Sequence, residues 1–456
     1  MELVKKASQY IFENAGKVIN TYRSKFHMEP TVGWMNDPNG LIYLDGEFHL
    51  FYQANPFSPN NEMMAWGHFI SSDLVKYKEV DVALYPDVEN EETGCFSGSA
   101  FLEDGKMKLV YTKHLDMPGT CKENQYIVNT KNKIVFIKDD KPCVDPNELP
   151  DNISKNEFRD PQIFYYENKC YLIVGGRTVD HQGVFLVFSG QDSSSLHFDF
   201  YFGPFKQTYR MVECPSFIRI GDKDVLIYCV YGLEKVFLGR NINHKVFYLV
   251  GKFKPSEKIF AIEHIGEIDE GDAFYAPKTI ENYETPTLLA WMENWNKDYL
   301  TKEHEWAGSF TFPRLLSLKN NELYQDVHPV INKYCLNKRS VNSGETINKH
   351  SLNEFSFKSC FSLRIKGING EMHIYSHGEK VHVDMYRSNN GNETIFETIF
   401  NYQNTNIKFL LDTSSIEVFV NQGHETITSR HFISGDIYEV IYENVEDFVT
   451  EDIEVK

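Results

Sequence analysis

One layout recurs five times along this 456-residue chain: a polar or acidic residue, usually followed by Pro, opens an apolar strand, a Gly/Asn/Asp turn follows, and a second apolar strand returns. The markers are Pro38, Gly98, Pro161, Pro215 and Pro277, spaced 54 to 63 residues apart. In the first copy Asp37-Pro38 leads into 41–44, Asp45-Gly46 turns, and 48–53 return. The later copies open with Ser97-Gly98, Asp160-Pro161, Glu213-Cys214-Pro215 and Tyr275-Ala276-Pro277. Asp-Gly turns alone occur in any all-β protein. A hairpin repeated at this period describes blades of about four strands, so the expected fold is all-β with a five-bladed β-propeller.

If the first strand of each blade lines the central channel, the residues just before it gather at one mouth. Asp37, Asp160 and Glu213 then meet, although they lie far apart in sequence. Three carboxylates converging on an aromatic pocket form a glycosidase-like arrangement. Aromatic residues make up 14% of the chain, which suits both β packing and stacking on sugar rings. A formal charge of −19 repels phosphate backbones and anionic membranes, which argues against nucleic acid or a membrane surface as partner. No stretch reaches the ~18–20 apolar residues of a membrane span. Residues 1–18 mix Glu and Lys among apolar positions, unlike a signal peptide, and the eight cysteines form no CxxC pair. The expectation is a cytoplasmic protein with reduced thiols and no metal site.

After Phe312-Pro313-Arg314 the pattern changes, and short alternating strands from about residue 335 predict a β-sandwich. Apolar residues at Val4, Ala7, Ile11, Ala15, Val18, Ile19 and Tyr22 have helical spacing and predict a short helix packed on the propeller. The expected domains are therefore an N-terminal helical extension (1–25), a propeller (26–320), a linker (321–334) and a sandwich (335–456).

The octapeptide Gly33-Trp34-Met35-Asn36-Asp37-Pro38-Asn39-Gly40 carries more than a turn. It is followed in order by Phe51-Tyr52-Gln53-Ala54-Asn55-Pro56, Trp66-Gly67-His68, Phe96-Ser97-Gly98-Ser99, Phe158-Arg159-Asp160-Pro161, Glu213-Cys214-Pro215 and Asp272-Ala273-Phe274-Tyr275-Ala276-Pro277. Trp306-Ala307-Gly308, Phe312-Pro313-Arg314, the segment 415–423 and Thr428-Ser429-Arg430 complete the set. This series resembles glycoside hydrolase family 32, the invertases and β-fructofuranosidases, over nearly the whole chain.

The resemblance implies a propeller joined to a sandwich, hydrolysis of a small sugar substrate with retention, no cofactor, and a monomer or homodimer. It makes Asp37 the nucleophile, with Asn36 and backbone N–H groups keeping its pKa low. Glu213 is then the general acid/base, with a pKa raised by burial, by Cys214 and by the charge of Asp37. Asp160 becomes the stabiliser of the transition state. Its structural alternative is an ion pair with Arg159. Trp34, Met35, Asn36, Gln53, Trp66, Phe96, Ser97, Arg159, Tyr275 and Trp291 are the implied substrate contacts. His68 is expected to be structural.

Three positions depart from the family pattern. Asn61 stands where a Trp is common, Lys113 where Gly is frequent, and Ser216 where Asp, Asn or Gly is frequent. They bear on the pocket wall, on a phosphorylated sugar and on leaving-group contacts respectively. The expected substrates are sucrose, sucrose 6-phosphate or short fructo-oligosaccharides. The rival readings are an inverting arabinose- or xylose-releasing glycosidase of a related propeller family, and a sugar-binding propeller without catalysis.

Overall fold

The computed structural model describes residues 2–87, 92–203, 210–237, 240–295, 299–357, 360–377, 380–387, 394–399 and 406–456. Its strands form seven sheets. Five of them are propeller blades, whose innermost strands are Gly33–Leu44, Gly94–Glu103, Ile153–Tyr166, Met211–Ile220 and Tyr275–Thr279. Each innermost strand touches the next around a ring, and the fifth touches the first. Trp306–Ala307, from the chain beyond the fifth blade's second strand, pairs in parallel with Gly33 and Trp34 and closes the ring. Aromatic side chains fill the spaces between blades: Phe164 and Phe217 stack at 4.2 Å across the third and fourth. The aromatic excess therefore serves packing first.

The other two sheets, of six strands each, form the sandwich. Period-two burial is plain in Gly370–His377, where Met372, Ile374 and Ser376 point inward. The stretch expected to be a linker, 321–334, is only partly one. Glu322–Val327 is the outer strand of the fifth blade, paired with Arg314–Lys319. The alternating Leu323, Gln325 and Val327 are buried and give that strand a reason to dock. At the other end, helix Glu2–Asn14 buries Ala7 and Ile11 against Val32, Ala65 and Val82 of the propeller. The expected helical run continues to 22 but stops at Asn14, whose side chain donates to Tyr10 O (2.8 Å), two residues before Gly16.

A buried ionic network joins the two domains. Arg314, fully buried, donates to Asp269 Oδ2 (3.0 Å) and to Glu417 Oε2 (2.6 Å from Nη2). His27 lies between Asp412 (2.7 Å) and Glu417 (2.9 Å). The sequence blocks around Phe312 to Arg314 and 415–430 thus serve the interface. Burial lowers the His27 pKa, but the two carboxylates outweigh it and raise the value to about 9. A raised folded-state pKa adds stability in full below the unfolded value of 6.5 and loses it as pH climbs through about 9. Over that window the wild-type Tm should therefore fall. His27→Leu should lower Tm at pH 6.5, costing ~3–5 kcal/mol by removing the buried cation that Asp412 and Glu417 share, and should flatten the slope, both readable by calorimetry across pH.

Candidate active site

All five innermost strands carry a β-bulge at the same level. The ladder skips Asp37 in the first, Ser97 in the second, Asp160 in the third, Cys214 in the fourth and Ala276 in the fifth. In four of these strands the next residue is Pro, which has no N–H to give the ladder. The second uses Gly98, where a Cβ would stand 1.9 Å from Val110 O. Asp160, Cys214 and Ala276 adopt positive φ (65°, 49° and 50°), a strained conformation for residues with a Cβ. The bulge turns the skipped side chains toward the channel mouth.

There they bond to one another. Ser97 Oγ donates to Asp37 Oδ2 (2.8 Å) and Asn36 Nδ2 to Asp37 Oδ1 (3.0 Å), while Trp34 Nε1 holds Asn36 (2.7 Å). The Cys214 N–H donates to Asp160 Oδ2 (2.9 Å), and its thiol sits 3.3 Å from that oxygen and 3.5 Å from Asp37 Oδ2. Thr112 Oγ1 accepts from the Asp160 N–H (3.0 Å). Glu213 accepts at Oε2 from Tyr275 OH (2.6 Å) and at Oε1 from Arg159 through Nε (3.2 Å) and Nη2.

The protons are distributed differently from the sequence expectation. Burial raises the pKa of Asp37 despite the donors Ser97 and Asn36, with Glu213 adding to the rise. Burial also pushes Asp160 up to about 7; Arg159 opposes this, and the charges of Glu213 and Asp37 reinforce it. Glu213, expected to be raised, goes the other way. Burial acts upward, but the Arg159 guanidinium and the Tyr275 hydroxyl outweigh it and hold Glu213 below its usual value. Arg159 makes no hydrogen bond to Asp160; its guanidinium is taken by Glu213 and Glu123.

A cavity of about 480 Å³ opens over these groups. Among the expected residues, Asn36, Asp37, Gln53, Phe96, Ser97, Arg159, Asp160, Glu213 and Tyr275 line it. Trp34, Met35, Trp66 and Trp291 stand one layer behind, each at most 5% exposed. Trp66 Nε1 braces the Phe96 carbonyl (3.1 Å), and the Trp291 ring packs on Trp34 and Trp295. Sequence reasoning left out Met64, Tyr231, His244 and Trp295, all in the lining. None belongs to a recognisable motif. It also left out Asn39, although Asn39 lies inside the octapeptide. With its amide nitrogen toward Ser97 Oγ (3.1 Å) and its oxygen toward the Gln53 N–H (3.1 Å) and Trp66 Nε1 (2.9 Å), Asn39 ties three site residues together.

Of the unusual positions, Asn61 does line the cavity. Lys113 lies over the Tyr126 ring outside it, and Ser216 is fully buried against Thr279 (3.1 Å). His68 is a buried partner of His49 (3.0 Å), as expected.

The N-terminal domain of glycosyl hydrolases family 32 matches residues 27–327 and the C-terminal domain of the same family matches 341–456. The chain belongs to glycoside hydrolase family 32. It is therefore a glycoside hydrolase built as a propeller and a sandwich. Among its relatives, the sucrose-6-phosphate hydrolase of Escherichia coli is 28% identical, covering 90% of this chain and 89% of that one. The raffinose invertase of Escherichia coli is 29% identical, with 91% of each covered. In structure the chain resembles the Bombyx mori family 32 β-fructofuranosidase, with a TM-score of 0.88 and 26% identity over 99% of this chain and 98% of that one.

Close approach of the third and fourth blades sets the site's dimensions. A Cβ on Gly175, which pairs with Arg159, would stand 2.2 Å from Val212 O, next to Glu213. Gly175→Ala should wedge those blades apart, reducing turnover by roughly 100-fold and Tm by several degrees, as activity assays and thermal melts would register.

Proposed function

We propose that the chain is a retaining β-fructofuranosidase that hydrolyses sucrose, sucrose 6-phosphate or short fructo-oligosaccharides. The observation that carries this reading is that Asp37, Asp160 and Glu213 line one cavity at the mouth of the propeller. Asp37, fixed by Ser97 and Asn36, attacks the anomeric carbon of the fructosyl unit and forms a covalent ester. Glu213 protonates the departing oxygen, then takes a proton from the water that cleaves the ester, so the configuration is retained. Asp160 binds sugar hydroxyls and steadies the charge that builds on the ring.

Asp160 is raised to about 7, while Glu213, which has to deliver a proton, is held below its usual value. A sugar that displaces water and takes over hydrogen bonds from Arg159 and Tyr275 removes what keeps Glu213 low. Glu213 then gains its proton as the substrate settles. The names of the relatives, sucrose-6-phosphate hydrolase and raffinose invertase, support a fructoside substrate. Eight scattered cysteines without a CxxC pair fit reduced thiols and a cytoplasmic location.

Incubation with sucrose should release fructose whose first-formed anomer, followed by NMR, is β; α-fructofuranose appearing first would overturn retention. Asp37→Asn should keep its circular dichroism spectrum and lose roughly 10³-fold or more in kcat. Comparing kcat/KM on sucrose, sucrose 6-phosphate, kestose and inulin orders the substrates.

A further inference from the structure

Behind the cavity a second carboxylate holds the other side of Arg159. Glu123, on the third strand of the second blade (Thr120–Thr130), is fully buried, and its Oε1 accepts from Arg159 Nη1 (3.3 Å). Its Oε2 has no hydrogen-bond partner. On the neighbouring strand His114 pairs with Glu123 Oε1 through Nδ1 (3.1 Å) and with Asp116 through Nε2 (3.1 Å). The His114 ring lies flat on Phe96, a cavity residue, with centroids 3.9 Å apart. A chain of contacts therefore runs from the second blade (His114, Glu123) through Arg159 of the third to Glu213 of the fourth.

A cation cradle is the competing use. Ligand atoms of His114, Cys121 and Glu123 lie within 4.8 Å of one another. The Arg159 guanidinium already occupies Glu123, however, and burial pushes the Cys121 thiol up to about 11, away from the thiolate a metal needs. The group is better described as a hydrogen-bonded support.

We propose that Glu123 is a positioning residue: by holding one edge of the Arg159 guanidinium it fixes how Arg159 grips Glu213, and its negative charge sets the pH at which Glu213 exchanges its proton. One guanidinium shared by two carboxylates neutralises each only in part. An Arg159 held by Glu213 alone would make Glu213 a poorer proton carrier. The charged and titratable groups facing this set are known. Glu213 is faced by Arg159, Tyr275, His244, Asp160 and Asp37; Glu123 is faced by Arg159, His114, Cys121 and Arg177. Burial lowers the His114 pKa, but Glu123 and Asp116 outweigh it, so His114 brings positive charge to Glu123 at higher pH than a free imidazole would.

The inference rests on Glu213 being the general acid/base. Opposite signs test it. Glu123→Gln removes a negative charge, so the alkaline limb of kcat on sucrose, which reports Glu213 with the sugar bound, should move to lower pH by ~0.5–1 unit. Near pH 7 kcat should fall roughly 10-fold with KM changed far less, and Glu123→Asp should restore the limb. His114→Gln removes a positive charge and should move the limb upward. Limbs that superimpose on the wild type, or that move in the same direction in both variants, overturn the proposal. Should Glu123→Gln be insoluble, the sign from His114→Gln decides alone. If the wild type cleaves no fructoside, the functional reading fails separately. The Glu213 carboxyl carbon can then be titrated by ¹³C NMR in the wild type and the soluble variant, which reads the same shift without turnover.

Discussion

A propeller's inner strands must run close to its axis, and a regular ladder there would turn alternate side chains back between the blades. Replacing one ladder step with a Pro or Gly releases the preceding residue from pairing. Because all five blades do this at one height, Asp37, Ser97, Asp160, Cys214 and Ala276 form a ring around the mouth. The ring holds two of the three acids, Asp37 and Asp160, and Arg159, Glu213 and Tyr275 are the paired residues just before it. Three of the five residues sit at positive φ, so strain is concentrated where the site is. The rest of the fold, from blade-to-blade aromatic stacking to the closing strand Trp306–Ala307, keeps the ring shut against that strain.

Crowding buried carboxylates around one guanidinium creates the second constraint. Asp37, Asp160, Glu213 and Glu123 are all buried or nearly so, and Arg159 bonds directly to only two of them. The carboxylates that Arg159 does not bond are pushed up by desolvation, Asp160 to about 7. The one that receives both Arg159 and Tyr275 is pushed down. The direction of each shift therefore follows which carboxylate the guanidinium pairs with more than depth of burial. A bound sugar can reverse it by competing for those same donors.

Charge also governs the seam between the domains. Arg314, His27, Asp269, Asp412 and Glu417 are all buried there, and each is satisfied by a partner of opposite sign. Such a seam is unforgiving of any missing member and fixes one orientation of sandwich on propeller. Asp269 comes from the loop before the fifth blade's inner strand, and Arg314 begins that blade's third strand. The sandwich thus braces the blade that supplies Tyr275 to the site.

Much of this was legible in the sequence, because local chemistry imposed it. The Pro and Gly markers announced the inner strand of each blade, though not the bulge there, and alternation announced the sandwich strands. The octapeptide around Asp37 announced the pocket through its resemblance to family 32, since an Asp-Pro pair alone reads as a turn or cap. Glu322–Val327 was misread because its docking partner lies in another strand, and the helix end because Gly16 outweighs the apolar spacing beyond it. Trp295, His244 and Glu123 carry no motif; they matter only for what stands opposite them. So does the direction in which Glu213 titrates, which depends on Arg159 and Tyr275 arriving from two other blades. Which side chains leave the ladder is a local matter, because a Pro without an N–H, or a Gly without a Cβ, is a property of one residue. Which donor each carboxylate receives, and where Glu123 stands, comes from folding, because burial and charge are shared among neighbours that the chain brings together from afar.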